Sequence, residues 1–168
     1  MDERRRQLLA HIERAFAGVT LGDGVSLHES DVMDNWGTAE ERRAAREPDE
    51  KLDWRRLVDH PDLAVIFGLA CGGLCHLDAA GVRFHLPACL SRAVRDLDRD
   101  HDRIAEMFES VSDLLTELRP HNRVRLEVLN GEQRACVREC LVFFRESLPD
   151  NDPVWAKAID GYWSRPAS

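Results

Sequence analysis

The cysteines are the residues whose type and spacing first suggest chemistry. The chain has five, and four of them form two pairs with i, i+4 spacing, which places each pair on one face of a helix. The pairs are Cys71 with Cys75 and Cys136 with Cys140. Four thiolates could hold zinc, with Cys89 and His76 as further ligands. Structural zinc sites usually use CxxC turns, however, and CxxxC on apolar stripes is typical of reduced core cysteines, so zinc is the alternative.

An acidic cluster follows the spacing of a calcium-binding loop. Positions one, three, five and twelve of such a loop would be Asp98, Asp100, Asp102 and Glu109. Position six requires glycine for a sharp turn, but Arg103 stands there, and position eight is Ala105 in place of a branched apolar residue. An acidic helix N-terminus explains the cluster more simply, because carboxylates there interact favourably with the helix dipole.

Other catalytic patterns are incomplete. The pair His101-Asp102 suggests a metal-dependent phosphohydrolase, but the further ligands would have to come from unrelated positions such as His60 or His76. No GxSxG elbow is present, and the glycine-rich run at 68–73 lacks the lysine and serine of a phosphate-binding loop. We therefore predict no catalytic residues and no cofactor.

Three residues are candidates for contact with a partner. Trp36 lies in a glycine-bounded MDNWG stretch, and exposed tryptophans are frequent binding hot spots. Arg83 and His85 flank Phe84 in a segment that we expect to be extended, so they would share one face. An arginine paired with a nearby aspartate is the simpler explanation for Arg83. Trp54, Trp155 and Trp163 have apolar neighbours at helical spacing and are predicted to lie in the core.

Length and charge restrict the class of protein. A chain of 168 residues with 43% hydrophobic residues is long enough for one core, and we predict a single helical domain over residues 1–168. A net charge of −8 disfavours nucleic acid and anionic membranes. It would attract a basic partner, but an acidic surplus that maintains solubility is the commoner explanation of such a charge. No stretch approaches the length of about 18 apolar residues that spans a membrane. We expect a soluble cytoplasmic protein, and the preference for arginine over lysine suggests a GC-rich bacterium.

Helical periodicity dominates the chain, and the pattern predicts six or seven helices. A first stripe ends at Gly18, and the segment at about 19–52 is charged and glycine-rich, so we expect it to be weakly ordered apart from a short helix after the Thr38–Glu41 capping box. The core would be built from helices that begin near Pro61, Pro87, Asp102 and Gly131. The alternating segment at 124–129 fits a short β element, but an isolated strand has no visible partner, and a turn or a short helix fits the segment equally well.

Several short motifs resemble a small uncharacterised bacterial domain family. They are Asp53-Trp54 with Leu57, the run of Phe84, Leu86, Pro87 and Ala88, Leu129 with Gln133 and Arg134, and Tyr162-Trp163. The resemblance spans roughly residues 5 to 163 and departs from the family at His85, where an aromatic residue is more usual. It implies a mostly helical fold and brings no established activity.

These observations predict an all-α protein that acts as a non-enzymatic binding or regulatory module. An immunity-like or antitoxin-like protein that neutralises a basic toxin is one concrete form of this prediction. The alternative is a metal-binding protein or metal-dependent hydrolase that uses the cysteines or the acidic cluster.

Overall fold

All regular elements of the computed structural model are helical over the residues that it describes, 2–68, 73–96, 102–147 and 153–165. The α-helices are α1 (Glu3–Ala15), α2 (Leu27–Asp34), α3 (Ala39–Arg46), α4 (Pro61–Gly68), α5 (Gly73–His76), α6 (Ala79–Asp96), α7 (Asp102–Thr116), α8 (Pro120–Leu126), α9 (Gly131–Ser147) and α10 (Pro153–Lys157). A 3-10 turn, Trp54–Leu57, precedes α4, and a π turn, Ala158–Tyr162, follows α10. The all-α prediction is confirmed. The predicted number of six or seven helices is wrong, because the short helices α2, α5 and α8 show no clear amphipathic stripe in the sequence.

Local signals in the sequence set several of the helix boundaries. The backbone N–H of Arg5 donates to the Asp2 carboxylate at 2.8 Å, which begins α1, and Gly18, with a φ of +71°, follows its end. The capping box of Thr38 and Glu41 begins α3, as predicted. The Asn130 side chain likewise accepts from the N–H of Gln133 at 2.9 Å and begins α9.

Helix α6 corrects two expectations about the Gly81–Pro87 run. We expected an extended segment at 82–84 and a helix that starts at Pro87, but one helix continues through the proline. Pro87 has no N–H for the carbonyl of Arg83, which costs about 3 kcal/mol in a helix interior. Burial of large apolar side chains on both sides, each worth about 1.5–3 kcal/mol, outweighs that cost. They include Val82, Phe84, Leu86, Leu90 and Val94, all at most 2% exposed.

Gly81 allows a close contact between α6 and the segment before α2. It lies in the first turn of α6, where a Cβ would be 2.7 Å from the carbonyl oxygen of Val25. Glycine is therefore required for the close approach of the segment before α2. The Asp78 carboxylate reinforces this contact, because it accepts the N–H groups of both Gly81 and Val25, at 2.7 and 3.1 Å.

The predicted β element at 124–129 is wrong. Residues up to Leu126 belong to α8, which begins with Pro120 in its first turn. Leu126 and Leu129 are buried, whereas Val124 is 65% exposed. The alternation in the sequence therefore reflects a short helix and the turn that follows it.

One hydrophobic core joins the helices, and α6 contributes more residues to it than any other described helix. Two tryptophans, Trp54 and Trp163, are each 2% exposed in this core, as predicted. Their indole N–H groups donate to the carbonyls of Phe16 and Leu115, at 3.0 and 2.8 Å, near the C-terminal ends of α1 and α7. Carbonyls at helix ends lack helical partners, and the indoles supply them; the carbonyl of Phe16 also accepts the N–H of Val19 at 3.2 Å. Trp155 is partly buried against the core.

The segment at about 19–52, expected to be weakly ordered, contains the helices α2 and α3, which pack together as a helical hairpin. No residue of α3 is buried. Polar contacts connect α3 to the segment that precedes α2, because the Arg46 guanidinium donates to the carbonyls of Gly22 and Gly24. Within the described part of the chain, no helix is long and apolar enough to cross a membrane.

Candidate functional site

The turn between α2 and α3 holds a tryptophan in an unusual backbone conformation. The N–H of Gly37 donates to the carbonyl of Val32 at 2.8 Å, and the N–H of Trp36 donates to that of Met33 at 3.2 Å. This is the hydrogen-bond pattern of a Schellman cap, in which the residue after the C-cap adopts the left-handed conformation and is usually glycine. Here that residue is Trp36, with a φ of +60°, and no other non-glycine residue among those described has a positive φ.

Gly37 follows Trp36, but it does not occupy the left-handed position, and the packing against α2 requires glycine at position 37 as well. A Cβ at Gly37 would collide with Cγ1 of Val32, so a close contact with α2 requires glycine at this position. Gly37 lies one residue after the left-handed position, which is occupied by Trp36. Trp36 therefore bears a backbone cost of about 1–2 kcal/mol that glycine would avoid.

Trp36 is also the most exposed large apolar residue of those described, at 95%. Exposure of the indole gains none of the free energy that its burial would contribute. Nothing in the packing of the isolated chain explains why a tryptophan stands here. We call Trp36 with its two neighbours, residues 35–37, the Trp36 turn.

The hairpin that presents the Trp36 turn is acidic. Residues 27–49 contain seven acidic residues and three arginines, a net charge of −4 out of the −8 of the whole chain. Two of the arginines, Arg42 and Arg46, contact the half-buried Glu29 at 3.4 and 3.1 Å. The exposed acids include Glu40 of α3 and Glu47, which directly follows this helix. The pairing of the arginines with Glu29 leaves negative charge on the exposed side of the hairpin.

The base of the hairpin contains a second polar group, the His28 cluster, which we define as His28, Asp49, His60 and Asp62. His28 Nδ1 lies 2.5 Å from Asp49 Oδ1, and its Nε2 lies 3.1 Å from Asp62 Oδ2. The rings of His28 and His60 meet edge to face, with centroids 5.7 Å apart. His28, Asp49 and His60 also line an open pocket of about 620 Å³. No sequence pattern indicates this cluster, because its members lie far apart in the chain and belong to no motif.

The predicted site residues Arg83 and His85 lie on α6, and His85 is in the core. His85 is fully buried, its Nδ1 lies 2.7 Å from the carbonyl oxygen of Gly81, and its ring contacts those of Phe67 and Phe84 edge to face. Burial lowers the pKa of His85 to about 4, so the ring is neutral at pH 7. Arg83 is half-buried. The structure does not bring His85 to the surface that carries Trp36.

The cysteines proposed as metal ligands are in different environments. Cys136, Cys140 and Cys89 are fully buried, and burial raises the pKa of Cys89 to about 12. A hydrogen bond with Cys136, together with burial, raises the pKa of Cys140 well above its usual value. Cys75 is exposed. The surroundings of the three buried cysteines are those of inert core thiols, and Cys71 lies outside the described residues.

The acidic cluster considered for calcium is described only in part. Asp98 and Asp100 lie outside the described residues, and Asp102 begins α7. Glu109 lines an open pocket of about 470 Å³ together with Glu106, Asp113 and Glu117. Over the described side chains, no group of three or more histidine, cysteine, aspartate or glutamate residues is arranged to hold a metal ion. A metal site that uses the remaining residues stays a prediction.

The chain matches a known sequence family. The sequence model of a family of unknown function, DUF6714, matches residues 4–167, nearly the whole chain. This confirms the resemblance to an uncharacterised family that the sequence motifs indicated. No solved structure matches the chain.

Proposed function

Because the chain belongs to the DUF6714 family of unknown function, we propose a function from its own surface. The protein is a non-enzymatic binding module that inserts Trp36 into a basic protein partner. The observation that carries this proposal is the combination of 95% exposure and a φ of +60° at a tryptophan. Both features cost stability in the free chain, and a partner that buries the indole would compensate for them.

The charge around the Trp36 turn supports a basic partner. The hairpin has a net charge of −4, and an acidic surface of this kind attracts a basic protein and accelerates its association. An arginine or lysine of the partner can also lie over the indole face, because cations are attracted to the ring quadrupole. A tryptophan within an acidic rim thus suits a partner surface with a small pocket surrounded by basic residues.

The His28 cluster does not suggest catalysis under this proposal. Both nitrogens of His28 lie within hydrogen-bond distance of carboxylates, which occupy the positions where a substrate would have to exchange a proton. We assign the cluster a role in holding the hairpin instead.

An immunity-like or antitoxin-like protein is the concrete form that we favour. In that form the basic partner is a toxin, and binding at Trp36 covers the surface through which the toxin acts. The placement of the protein in a bacterial cytoplasm belongs to the same proposal and is supported by sequence composition alone.

Site-specific photo-crosslinking tests the proposal directly. A benzophenone amino acid would replace Trp36 in one variant and Val124, which is also exposed at 65%, in a matched control. We expect crosslinks from position 36, and not from position 124, to one basic protein of the source cell. W36A should abolish capture of that protein by the purified chain, whereas V124A should retain it.

Three results would contradict the proposal: crosslinks equal at the two positions, a crosslinked protein without a basic surface, or full capture by W36A. For the toxin version, co-expression with the captured partner should restore growth with the wild-type chain and V124A, and not with W36A. A partner that does not impair growth would exclude the toxin version while leaving the binding site intact.

A further inference from the structure

His28 occupies a position in which each ring nitrogen faces a carboxylate. Nδ1 lies 2.5 Å from Asp49, whose other oxygen accepts the backbone N–H of His28 at 2.9 Å. Nε2 lies 3.1 Å from Asp62. The Asp49 side chain is 4% exposed, whereas that of Asp62 is 46% exposed. The two contacts therefore differ, since one carboxylate is fixed in the interior and the other can turn to water.

This arrangement suits a protonated ring and not a neutral one. An imidazolium has two N–H groups and can donate to both carboxylates, but a neutral imidazole has only one. In the neutral ring the second nitrogen would present a lone pair to a charged oxygen. Asp49 is the carboxylate that keeps its N–H contact, because it is buried and held by the backbone as well. The contact between Nε2 and Asp62 is the one that would be lost.

The contact with Asp62 connects the hairpin to the rest of the fold. His28 lies in the first turn of α2, Asp49 follows α3, and Asp62 lies in the first turn of α4. At the other end of α2, Asp34 lies 3.1 Å from His76 of α5. These two histidine–aspartate pairs are side-chain hydrogen bonds that connect α2 to α4 and α5. Histidine is the side chain whose charge ordinarily changes between pH 5 and 8.

The other charged groups around His28 are engaged in their own contacts. The ammonium group of Lys51 donates to the carbonyls of residues 46, 47 and 49, at 2.8–2.9 Å. Arg56 lies 3.2 Å from Glu50, and both line the same pocket as His28. His60 Nδ1 accepts the N–H of Asp62 at 3.3 Å, which leaves that nitrogen no proton to donate to the carboxylate. His28 is thus the ring placed to bridge the two carboxylates.

We propose that His28 is a pH-sensitive latch that fastens the α2–α3 hairpin to α4 when its ring is protonated and releases it when the ring is neutral. Release leaves the His28–Asp49 contact within the hairpin and frees Asp62 of α4. The hairpin, and with it the Trp36 turn, then becomes more mobile relative to the core.

The direction of the titration agrees with this geometry. Partial burial disfavours the charged ring, but the hydrogen bonds and charges of Asp49 and Asp62 outweigh it and raise the pKa of His28 above its usual value. Because the pKa is higher in the folded state than in the unfolded state, the stabilisation is complete below the ordinary histidine value of about 6.5. It is lost as the pH rises through the higher value of the folded protein.

Nuclear magnetic resonance of the complete chain tests the latch without any partner. We expect the His28 ring to titrate above about 6.5. Amide protection factors in α2 and α3, corrected for intrinsic exchange rates, should fall about two- to fivefold as the pH rises through the measured pKa of His28. This is the size of effect that the loss of one partly exposed ion pair implies. The amides of α9 provide an internal reference and should show no such step.

Two variants and one control identify the residues responsible for the pH-dependent fall in the protection factors of α2 and α3. H28Q and D62N should each remove the pH-dependent step in α2 and α3. H60Q should retain it, because His60 does not bridge the two carboxylates. A His28 ring that titrates at or below about 6.5, or a step of the same size in D62N and the wild type, would overturn the latch.

The effect of the latch on partner binding rests on the proposed function, and the two can fail separately. Loss of crosslinking at Trp36 would remove the binding proposal and leave the NMR step unaffected. Absence of the NMR step would remove the latch and leave the crosslinking result unaffected. If both hold, the affinity for the crosslinked partner should change with pH in the wild type and in H60Q, but not in D62N.

Discussion

At the scale of single residues, Trp36 and His85 illustrate opposite ways in which a side chain can depart from what stability alone favours. Trp36 is apolar, exposed and held in a left-handed backbone conformation. His85 is polar and fully buried, and its Nε2 has no hydrogen-bond partner. The first departure is understandable if a partner covers the indole, and the second makes the core sensitive to acid.

Replacement of Trp36 by glycine should stabilise the isolated protein. Glycine relieves about 1–2 kcal/mol of left-handed strain, and its greater freedom in the unfolded chain offsets about 0.4–1 kcal/mol of that gain. We expect chemical denaturation of W36G to show a free energy of unfolding about 0.5–1 kcal/mol above that of the wild type. W36A, which keeps the Cβ, should differ little. A W36G variant less stable than the wild type would show that the indole supports the fold.

Acid should destabilise the protein through His85. Its pKa is about 4 in the folded state, below the ordinary value of about 6.5, so the neutral ring is favoured by folding. The unfolded chain takes up the proton first, and stability is lost as the pH falls from 6.5 towards 4, by about 3 kcal/mol in all. Urea denaturation over this range measures the loss.

The matched variant for this measurement is H85N, whose amide can still donate to the carbonyl of Gly81. It should be less stable than the wild type at pH 7, because it loses the ring contacts with Phe67 and Phe84. Its stability should nevertheless fall less between pH 6.5 and 4. Parallel pH profiles for H85N and the wild type would attribute the acid sensitivity to other groups.

At the scale of elements, α3 and α9 each begin with a capping box, but the stability of the two helices depends on that box to different degrees. Helix α3 begins with Thr38 and Glu41 and has no buried residue, so its cap and its polar contacts hold it in place. Helix α9 begins with Asn130 and Gln133 and buries residues along its length, including Phe143 and Phe144. Tertiary packing therefore contributes most to α9, and local interactions contribute most to α3.

Alanine substitution of the two cap residues should separate these cases. T38A and N130A each remove a cap interaction worth about 1 kcal/mol. We expect N130A to lower the global free energy of unfolding by about that amount. T38A should increase hydrogen exchange within α3 while the global free energy of unfolding changes little, because α3 can fray without opening the core. An equal global loss in both variants would mean that α3 unfolds only with the whole domain.

At the scale of the whole molecule, the acidic charge should govern the rate at which a basic partner associates. The net charge is −8, and half of it lies on the residues of the hairpin. Long-range attraction between exposed charges is screened by salt, whereas the insertion of an indole into a pocket is not.

Binding kinetics with the crosslinked partner test whether the hairpin charge governs association and the indole governs dissociation. Raising the salt concentration from about 0.05 to 0.5 M should lower the association rate constant about tenfold or more and change the dissociation rate constant little. W36A should do the opposite, with faster dissociation and a similar association rate. Surface plasmon resonance measures both constants. An association rate that is insensitive to salt would exclude electrostatic steering by the hairpin.

The sequence by itself determined the helix class and the helix ends that depend on neighbouring residues. Thr38 with Glu41, Pro61 at the start of α4 and Gly131 at the start of α9 were all predicted and are all present. These signals are visible because a cap or a first turn involves residues only three or four positions apart. The glycine-bounded setting of Trp36 is local in the same way, and its exposure agrees with the prediction. The role of Trp36 in binding stays a proposal.

The tertiary structure decided what depends on contacts between distant residues. The continuation of α6 through Pro87 follows from the burial of side chains on both sides of it, which no local rule for proline includes. His85 was predicted to be a surface contact but lies in the core, because its segment is helical and not extended. His28 meets Asp49 and Asp62 across 21 and 34 positions of sequence, and only the packing of α2 on α4 brings these groups together.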